Sequence, residues 1–298
     1  MSNVAQVVSV AHREKVRLLS SRRVSWYALA VLALVGWLYA PVLYNLVRQW
    51  WQDPNFSHGF FVPLFSAWVL WQTRERLERI RPEPSAWGLP VIVGSLAVLI
   101  LGIFGVELFL SRVSLIFLAG GLVLFFFGWA MLRAVLFPLL FLVLMVPIPA
   151  IVFSQITFPL QILASKLAAG TLPFCAVPVL REGNVINLPS MPLEVAEACS
   201  GIRSLMSLAT LAMMYAYLME KRTGVRILLA VASLPIAVAA NTLRIVGTGL
   251  IVQYWDPELA EGFFHAFSGL LIFLVSLVML FALHQALRLI GRNREQML

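Results

Sequence analysis

The sequence predicts an all-α membrane protein that crosses the bilayer about eight times. Of its 298 residues, 61% are hydrophobic and only 12% are charged, whereas about a quarter of the residues in an ordinary soluble domain are charged. The mean hydropathy is +0.90. The apolar residues also recur in long runs, and a helix needs roughly 20 of them to cross the hydrocarbon core. Together these observations indicate a polytopic helical membrane protein.

Eight apolar segments are the predicted spans. In order they are Trp26–Leu46, Ser57–Gln72, Ala86–Gly105, Leu108–Gly128, Leu132–Phe153, Gly201–Leu218, Val225–Val252 and Phe264–Leu287. They define one integral membrane domain over residues 26–288. A basic tail, residues 1–25, precedes this domain, and a second short tail, residues 289–298, follows it.

One long interruption, residues 154–200, separates the fifth span from the sixth. Its first part, Gln155–Leu172, has an amphipathic helical pattern that we expect to lie in the membrane interface. Its second part carries β-branched residues around Glu182, Gly183 and Asn184. This pattern predicts a small β-hairpin or an extended lid.

The basic residues orient the chain in the membrane. All but six of the 22 Lys and Arg residues fall on the side that holds both termini. The six on the other side or within spans are Arg48, Arg112, Lys166, Arg181, Arg203 and Arg244. The positive-inside rule therefore predicts cytoplasmic termini and an interruption on the outer side. Because the positive charge serves orientation, we do not expect nucleic acid as a partner, despite the pI of about 10.1.

Three chemically reactive residues share one side of this predicted topology. Cys199 lies just before the sixth span, Arg244 towards the outer end of the seventh, and His265 at the outer start of the eighth. A thiol, a guanidinium and an imidazole are the groups that a thiol-based acyl transfer needs. We therefore predict a catalytic site on the outer face of the membrane.

Each group suits a distinct part of that chemistry. Cys199 attacks as the thiolate, which the unpaired amides of a helix N-terminus stabilise. Arg244 adds a fixed positive charge, and His265 takes the proton and returns it to a leaving amine. The structural alternatives are a buried cysteine, an arginine that extends to the headgroups, and an interfacial histidine.

Four neighbouring residues are candidates for supporting roles. Arg203 is a second cation close to the cysteine, and Asn241 shares a helix face with Arg244. Glu194 and Glu197 are candidate substrate-binding residues, although carboxylates beside a thiol raise its pKa and oppose activation.

Other histidines and the second cysteine need separate interpretations. His58 is the rival general base, but the aromatic residues around it favour a structural role. His284 falls on the cytoplasmic side and is excluded from the site. Cys175 is left free or disulfide-bonded to Cys199 as open alternatives. Because no metal-ligand spacing is present, we expect no metal and no cofactor.

Three short blocks resemble a known family. The strings EACSGIRSL around Cys199, ANTLRI around Arg244 and FFHAFSG around His265 resemble the signature blocks of exosortases, and their order matches. These enzymes are polytopic bacterial membrane proteins related to archaeosortases. The resemblance implies that Cys199 is the nucleophile, that Arg244 stabilises the transition state or thiolate, and that His265 is the general acid and base.

The resemblance also implies a cellular role. It implies a protein-sorting cysteine protease or transpeptidase in the inner membrane of a Gram-negative bacterium that makes exopolysaccharide. The implied substrates are secreted proteins with a C-terminal PEP-CTERM tail, which consists of a Pro-Glu-Pro motif, a transmembrane helix and a basic cluster. Some members carry an extra soluble C-terminal domain, so a separate soluble accessory protein is a further implied partner.

Two other classes of function remain as alternatives. One is a transporter or flippase in which Arg244 and Arg203 bind an anionic lipid-linked or polysaccharide substrate. The other is a non-catalytic scaffold for exopolysaccharide assembly. Both should survive the loss of one thiol, whereas the enzyme should not.

Overall fold

The computed structural model describes residue 26 and residues 29–194, 201–255 and 263–296, with backbone alone for residues 194, 201–204, 263–268 and 291–296. The described part contains nine α-helices and three short strands. The helices are α1 (Leu29–Gln52), α2 (Phe61–Gln72), α3 (Arg74–Glu78), α4 (Gly88–Phe104), α5 (Leu108–Phe141), α6 (Ala150–Thr171), α7 (Gly201–Met219), α8 (Thr223–Tyr254) and α9 (Phe263–Gln296). The strands are β1 (Leu180–Glu182), β2 (Val185–Asn187) and β3 (Pro192–Glu194).

Five stretches of the described residues are long and apolar enough to cross a membrane. They are Leu29–Gln52, Leu108–Met145, Ala150–Cys175, Thr223–Tyr254 and Gly269–Ile290. Two shorter apolar helices, Gly88–Phe104 and Leu205–Met219, accompany them. The predicted class, a helical multi-span membrane protein, is therefore confirmed. The predicted number of eight spans stays a prediction.

The longest stretch changes direction at Gly128. This residue has φ 82° and ψ −173°, which no α-helix contains. Leu139 packs directly over Gly120, although nineteen residues of straight helix would separate them by about 28 Å. Residues 108–127 and 129–141 are therefore two limbs that fold back on each other. This agrees with the predicted boundary between the fourth and fifth spans.

The break at Gly128 is sealed by the segment that precedes α4. The Glu83 N–H donates to the Phe127 carbonyl at 3.1 Å, and the Ser85 N–H donates to the Leu124 carbonyl at 3.3 Å. These donors satisfy carbonyls that the interrupted helix leaves without a partner. A side chain at position 128 would overlap the Glu83 carbonyl, so the turn requires glycine.

The second predicted span is shorter as a helix than expected. Its first residues belong to a 3-10 helix, Pro54–Phe60, in which the Asp53 carboxylate accepts the Asn55 N–H. Only Phe61–Gln72 is α-helical. Twelve residues rise about 18 Å, less than the thickness of the hydrocarbon core. The sequence does not reveal the change from 3-10 helix to α-helix, because the segment Pro54–Phe60 contains aromatic residues like the α-helix that follows it.

The long interruption contains the predicted helix and hairpin, and a third strand as well. Strands β1, β2 and β3 form an antiparallel sheet in that order, and Gly183 turns the first hairpin with φ 63°. The sheet, α6 and the C-terminal half of α8 share one buried apolar core. Its members include Ala164, Ala168, Leu172, Ile186, Leu193, Ile245 and Val252. The length and composition of α6 allow a membrane crossing, so its interfacial placement stays a prediction.

Helices α7, α8 and α9 pack around a second core. Leu205, Leu208, Ala212 and Ala216 of α7 meet Leu229 and Ala237 of α8 and Leu280 of α9. We call the end of this bundle that carries the β-sheet the sheet end. The end that carries the α7–α8 link, residues 220–222, is the link end.

Three polar side chains connect the helices at the link end. We call Tyr215, Glu220 and His284 the polar clamp. The Tyr215 hydroxyl lies 2.7 Å from His284 Nδ1, and His284 Nε2 lies 3.6 Å from a Glu220 carboxylate oxygen. His284 is 1% exposed. The other Glu220 oxygen accepts the N–H groups of Lys221 and Arg222 at 2.7 and 2.9 Å. The clamp thus joins α7, the link and α9.

Replacing Gly128 with alanine should destabilise the protein for two reasons. A positive φ is unfavourable for alanine, and its Cβ would overlap the Glu83 carbonyl oxygen. We expect a loss of about 2 kcal/mol or more, seen as a lower apparent melting temperature in detergent. Gly94→Ala is the matched control, since a Cβ there meets no atom within 4 Å. An equal effect of the two changes would contradict the proposed constraint at Gly128.

The Glu220 carboxyl should make the stability depend on pH. The Arg222 N–H, aided by the Lys221 N–H and by His284, holds the pKa of Glu220 below its usual 4.5 despite partial burial. A lowered folded-state pKa stabilises the fold above pH 4.5, and this contribution disappears as the pH falls through the folded pKa. Glu220→Gln should therefore lower the melting temperature at pH 7, and the difference from wild type should shrink as the pH falls below 4.5 and through the folded pKa. Melting curves of both proteins across this range measure the difference.

Candidate functional site

The α7–α8 hairpin sets the depth of Arg244. Because only three residues link the two helices, positions equally far from the link lie at about the same depth. Leu205 and Ala237, each fourteen residues from the link, do share one core. Gly201 is eighteen residues from the link and Arg244 is twenty-one. Arg244 therefore lies about 4.5 Å, or one helical turn, beyond the level at which α7 begins.

The polar clamp sets the depth of His265 independently. His284 contacts Tyr215 and Glu220, so it lies between the levels of these two residues of the hairpin. His265 precedes His284 by nineteen residues of the same helix. Nineteen residues before Glu220 on the hairpin is Gly201, and nineteen residues before Tyr215 is a level about 7 Å beyond Gly201. His265 therefore lies between these two levels. Arg244 and His265 therefore share one depth to within about a turn, at the sheet end.

Arg244 is enclosed by protein. It is 4% exposed, and the adjacent Ile245 and the preceding Ala240 are almost completely buried. It lies on the same face of α8 as Ala237, two turns nearer the sheet end. An arginine that extended along the lipid surface to the headgroups would be exposed. The burial therefore favours a role inside the bundle, where Arg244 makes hydrogen-bonding or electrostatic contacts.

The sheet and α6 hold the chain that leads into α7. The Ser165 hydroxyl of α6 donates to the Gly183 carbonyl in the hairpin turn at 3.1 Å. The Tyr254 hydroxyl at the end of α8 donates to the Cys175 carbonyl at 2.8 Å. Gly249 of α8 allows close packing by Leu172. Strand β3, whose last residue is five positions before Cys199, pairs with β2 and buries Leu193 in the core shared with the half of α8 that carries Arg244.

The remaining predicted site residues are described in part or lie outside the description. Asn241 is partly buried on α8 and makes hydrogen-bonding or electrostatic contacts. Arg203 and His265 lie in the first turns of α7 and α9, and Glu194 ends β3, each with backbone alone described. Cys199 and Glu197 lie outside the described residues. Their assignment to the site therefore stays a prediction.

His58 has a packing role in the structure. Its ring is 7% exposed among aromatic residues, 6.5 Å from the ring of Phe56. Its Nε2 lies 3.2 Å from the Leu144 carbonyl, so this nitrogen carries the proton and donates it. The bond ties the 3-10 helix after α1 to the end of the α5 segment. This contact satisfies Nε2, while Nδ1 is buried without a hydrogen-bond partner, and it supports the structural interpretation.

Sequence reasoning overlooked the clamp. It set His284 aside because of the side on which it falls, and it gave Tyr215 and Glu220 no role. A histidine inside an apolar span is a signal that it has a specific partner, but the partners are far away in sequence.

The described residues contain no candidate metal site. Within the described ranges, no three His, Cys, Asp or Glu side chains lie close enough together to hold an ion.

A family comparison covers most of the chain. Residues 50–282 match the family model described as Transmembrane exosortase (Exosortase_EpsH). The match includes all three sequence blocks and every predicted site residue. No curated protein and no solved structure gives a significant match.

The common depth of the site can be tested by crosslinking. We expect a cysteine at position 265, in a Cys175→Ser background, to react with Cys199 through a bismaleimide with a spacer of about 8 Å. Leu274→Cys is the control, because it lies nine residues, or about 13 Å, further towards the link end. Mass spectrometry of the linked peptides gives the yields. Equal yields from both positions would contradict the depth assignment.

Proposed function

The chain belongs to the transmembrane exosortase family, and from this premise we propose that it is a membrane-embedded cysteine protease or transpeptidase. Its proposed substrates are secreted proteins with a C-terminal PEP-CTERM sorting tail. Cleavage takes place on the periplasmic face of the bacterial inner membrane, and both termini of the enzyme are cytoplasmic. Cys199, Arg244 and His265 are the proposed catalytic residues.

The observation that carries the proposal is the shared depth of Arg244 and His265 at the start of α7. These two residues come from different helices, and their depths follow from different contacts. Cys199 precedes Gly201 by two residues, so peptide geometry keeps their Cα atoms within about 8 Å. The depths of Arg244 and His265 thus support a site that the three family blocks share at the sheet end.

The first chemical step is formation of a thioester. The Cys199 thiol loses its proton to His265, and the thiolate attacks the carbonyl carbon of the scissile peptide bond. The resulting oxyanion is stabilised by the Arg244 guanidinium or by free amides at the start of α7. The intermediate then expels the amine, which takes the proton from His265. The acyl group remains on sulfur as a thioester.

The second step returns the enzyme to its starting state. Water, an amine or a hydroxyl group attacks the thioester while His265 accepts its proton, and the Cys199 thiolate leaves and is reprotonated. Attack by water makes the enzyme a protease. Attack by another nucleophile makes it a transpeptidase-like anchoring enzyme. The residues proposed here serve both outcomes.

The burial of Arg244 supports its proposed electrostatic role. A buried guanidinium keeps its charge under ordinary conditions, and burial makes its attraction for a nearby anion stronger than in water. Such an environment favours the thiolate over the thiol and the oxyanion over the neutral carbonyl. Asn241, three residues earlier on α8, is proposed to orient Arg244 or bind substrate, whereas Arg203 is the alternative cation.

The substrate is proposed to approach within the membrane. A tail helix can diffuse laterally to the bundle with its basic end in the cytoplasm, and its peptide motif then emerges beside Cys199. Glu194 and Glu197 are proposed to bind this motif. A soluble accessory protein is a further proposed partner, and no metal or cofactor takes part in the proposed reaction.

A co-expressed PEP-CTERM reporter tests this function. We expect Cys199→Ala to abolish cleavage, and Arg244→Ala to lower the rate about 10²- to 10³-fold, as for the loss of an oxyanion-stabilising donor. His265→Ala should lower it about 10²-fold or more. Immunoblots of processed and unprocessed reporter give the rates, after equal membrane levels of each variant are verified.

Matched variants distinguish the site from its surroundings. Cys175→Ala controls for loss of a thiol, and His12→Ala controls for loss of an imidazole; both should cleave normally. Arg203→Ala should cost less than tenfold if Arg244 is the stabilising cation. Normal cleavage by Cys199→Ala would overturn the proposal and favour a transporter, a flippase or a scaffold for exopolysaccharide assembly.

A further inference from the structure

The polar clamp is the one part of the α7–α9 bundle, within the described residues, where side chains of α7 and α9 join through directional polar contacts. Glu220 is a carboxylate at neutral pH and can only accept, so we assign the proton of the neutral His284 imidazole to Nε2, which faces it. At 3.6 Å this contact is electrostatic, and Nε2 makes no hydrogen bond. In the neutral imidazole Nδ1 then accepts from the Tyr215 hydroxyl. Arg226 adds two hydrogen bonds at the link end: its guanidinium donates to the Glu220 carbonyl at 2.6 Å and to the Tyr217 carbonyl at 3.2 Å.

The apolar core by itself only weakly restricts the sliding of α9 along its axis relative to α7 and α8. Contacts such as those among Ala212, Leu229 and Leu280 are non-directional, so small axial displacements change little buried area. The α7–α8 link has three residues and restricts sliding. Eight residues lie between the end of α8 and the start of α9, and a linker of that length permits a much larger range of offsets.

The clamp penalises such sliding. A displacement of α9 by one turn, about 5.4 Å, would break the hydrogen bond between Tyr215 and His284 Nδ1 and separate the imidazole from the Glu220 carboxylate. The loss of a buried hydrogen bond costs free energy, so the clamped offset is preferred. The same offset brings His265, nineteen residues away on one continuous helix, to the depth of Arg244.

We propose that His284 is a positioning residue that, held by Tyr215 and Glu220, sets the axial offset of α9 and so delivers His265 to Cys199 and Arg244. The inference rests on the proposed function for its catalytic consequence, but the offset itself is a property of the fold. His284 touches neither substrate nor reacting atoms. Its effect on the reaction passes entirely through the placement of His265.

Two variants of His284 test the proposal. His284→Leu fills the volume but removes both polar contacts, and it should lower kcat for reporter cleavage about tenfold with little change in KM. His284→Asn places an amide near the position of Nδ1 and keeps a bond to Tyr215, so it should restore much of the activity. Ser276→Ala is the matched control, since that buried hydroxyl bonds only within α9, to the Ile272 carbonyl, and it should cleave normally.

The pH profile of Cys199 alkylation gives a readout that a merely stabilising contact would leave unchanged. In a Cys175→Ser background, the alkylation rate reports the thiolate fraction. His284→Leu should move this profile towards that of His265→Ala, at a temperature where both proteins remain folded. An unchanged profile together with a kcat loss that only follows the folded fraction would overturn the positioning role.

A distance measurement separates this inference from the proposed function. Spin labels at Leu243 on α8 and Leu270 on α9, both exposed, report the offset in a cysteine-free protein that needs no activity. Wild-type His284 should give one narrow distribution, and His284→Leu should shift or broaden it by up to about one turn. Identical distributions overturn the inference. If no reporter is cleaved but the distributions differ, the clamp sets the offset and the proposed enzyme activity is what fails.

Discussion

The demand that every backbone N–H and C=O within a bilayer find a partner inside the protein governs this structure. Helices meet it along their length, but each interruption releases groups that need other donors or acceptors. At Gly128 the chain reverses, and the released Phe127 carbonyl receives the Glu83 N–H. The segment before α4 therefore satisfies a break in a helix that lies more than forty residues later in the chain. The interruption also requires glycine, since only a residue without Cβ leaves space for this backbone to approach.

The same demand explains the polar residues at the end of the second α5 limb. The carbonyls of Leu144 and Met145 have no helix beyond them to supply donors. His58 donates to the first and the Trp50 indole N–H to the second, at 2.9 Å. Side chains near the end of α1 and in the following 3-10 helix thus complete the hydrogen bonding of a distant helix. This contact supports a structural role for His58, and the proposed chemistry involves residues at the sheet end of the other helices.

Much of the fold follows from the sequence, because a run of apolar residues in a membrane has few alternatives to a helix. The reversal near Gly128, the hairpin at Gly183 and the helix after Ser154 are all predictable from local pattern. Strand β3 is not, because Pro192 to Glu194 has no strand pattern of its own and depends on pairing with β2. The sequence also predicts a candidate site of three residues at one depth, and with Cys199 outside the described residues this stays a prediction. The clamp is not, because Tyr215 and His284 are sixty-nine residues apart and only packing brings them together.

The lengths of the helices explain why a reactive site suits the sheet end. Helix α8 has 32 residues and rises about 48 Å, which exceeds the roughly 30 Å hydrocarbon core. Arg244 lies ten residues before the end of α8, in the part that the sheet and α6 enclose. We expect the proposed site at this level to be shielded from lipid by protein and to lie near the aqueous boundary, where protons and an acyl acceptor can arrive. A buried cation at the sheet end and a buried imidazole at the link end each need fixed partners. Because α7, α8 and α9 run continuously between these two levels, the geometry at one end constrains the geometry at the other.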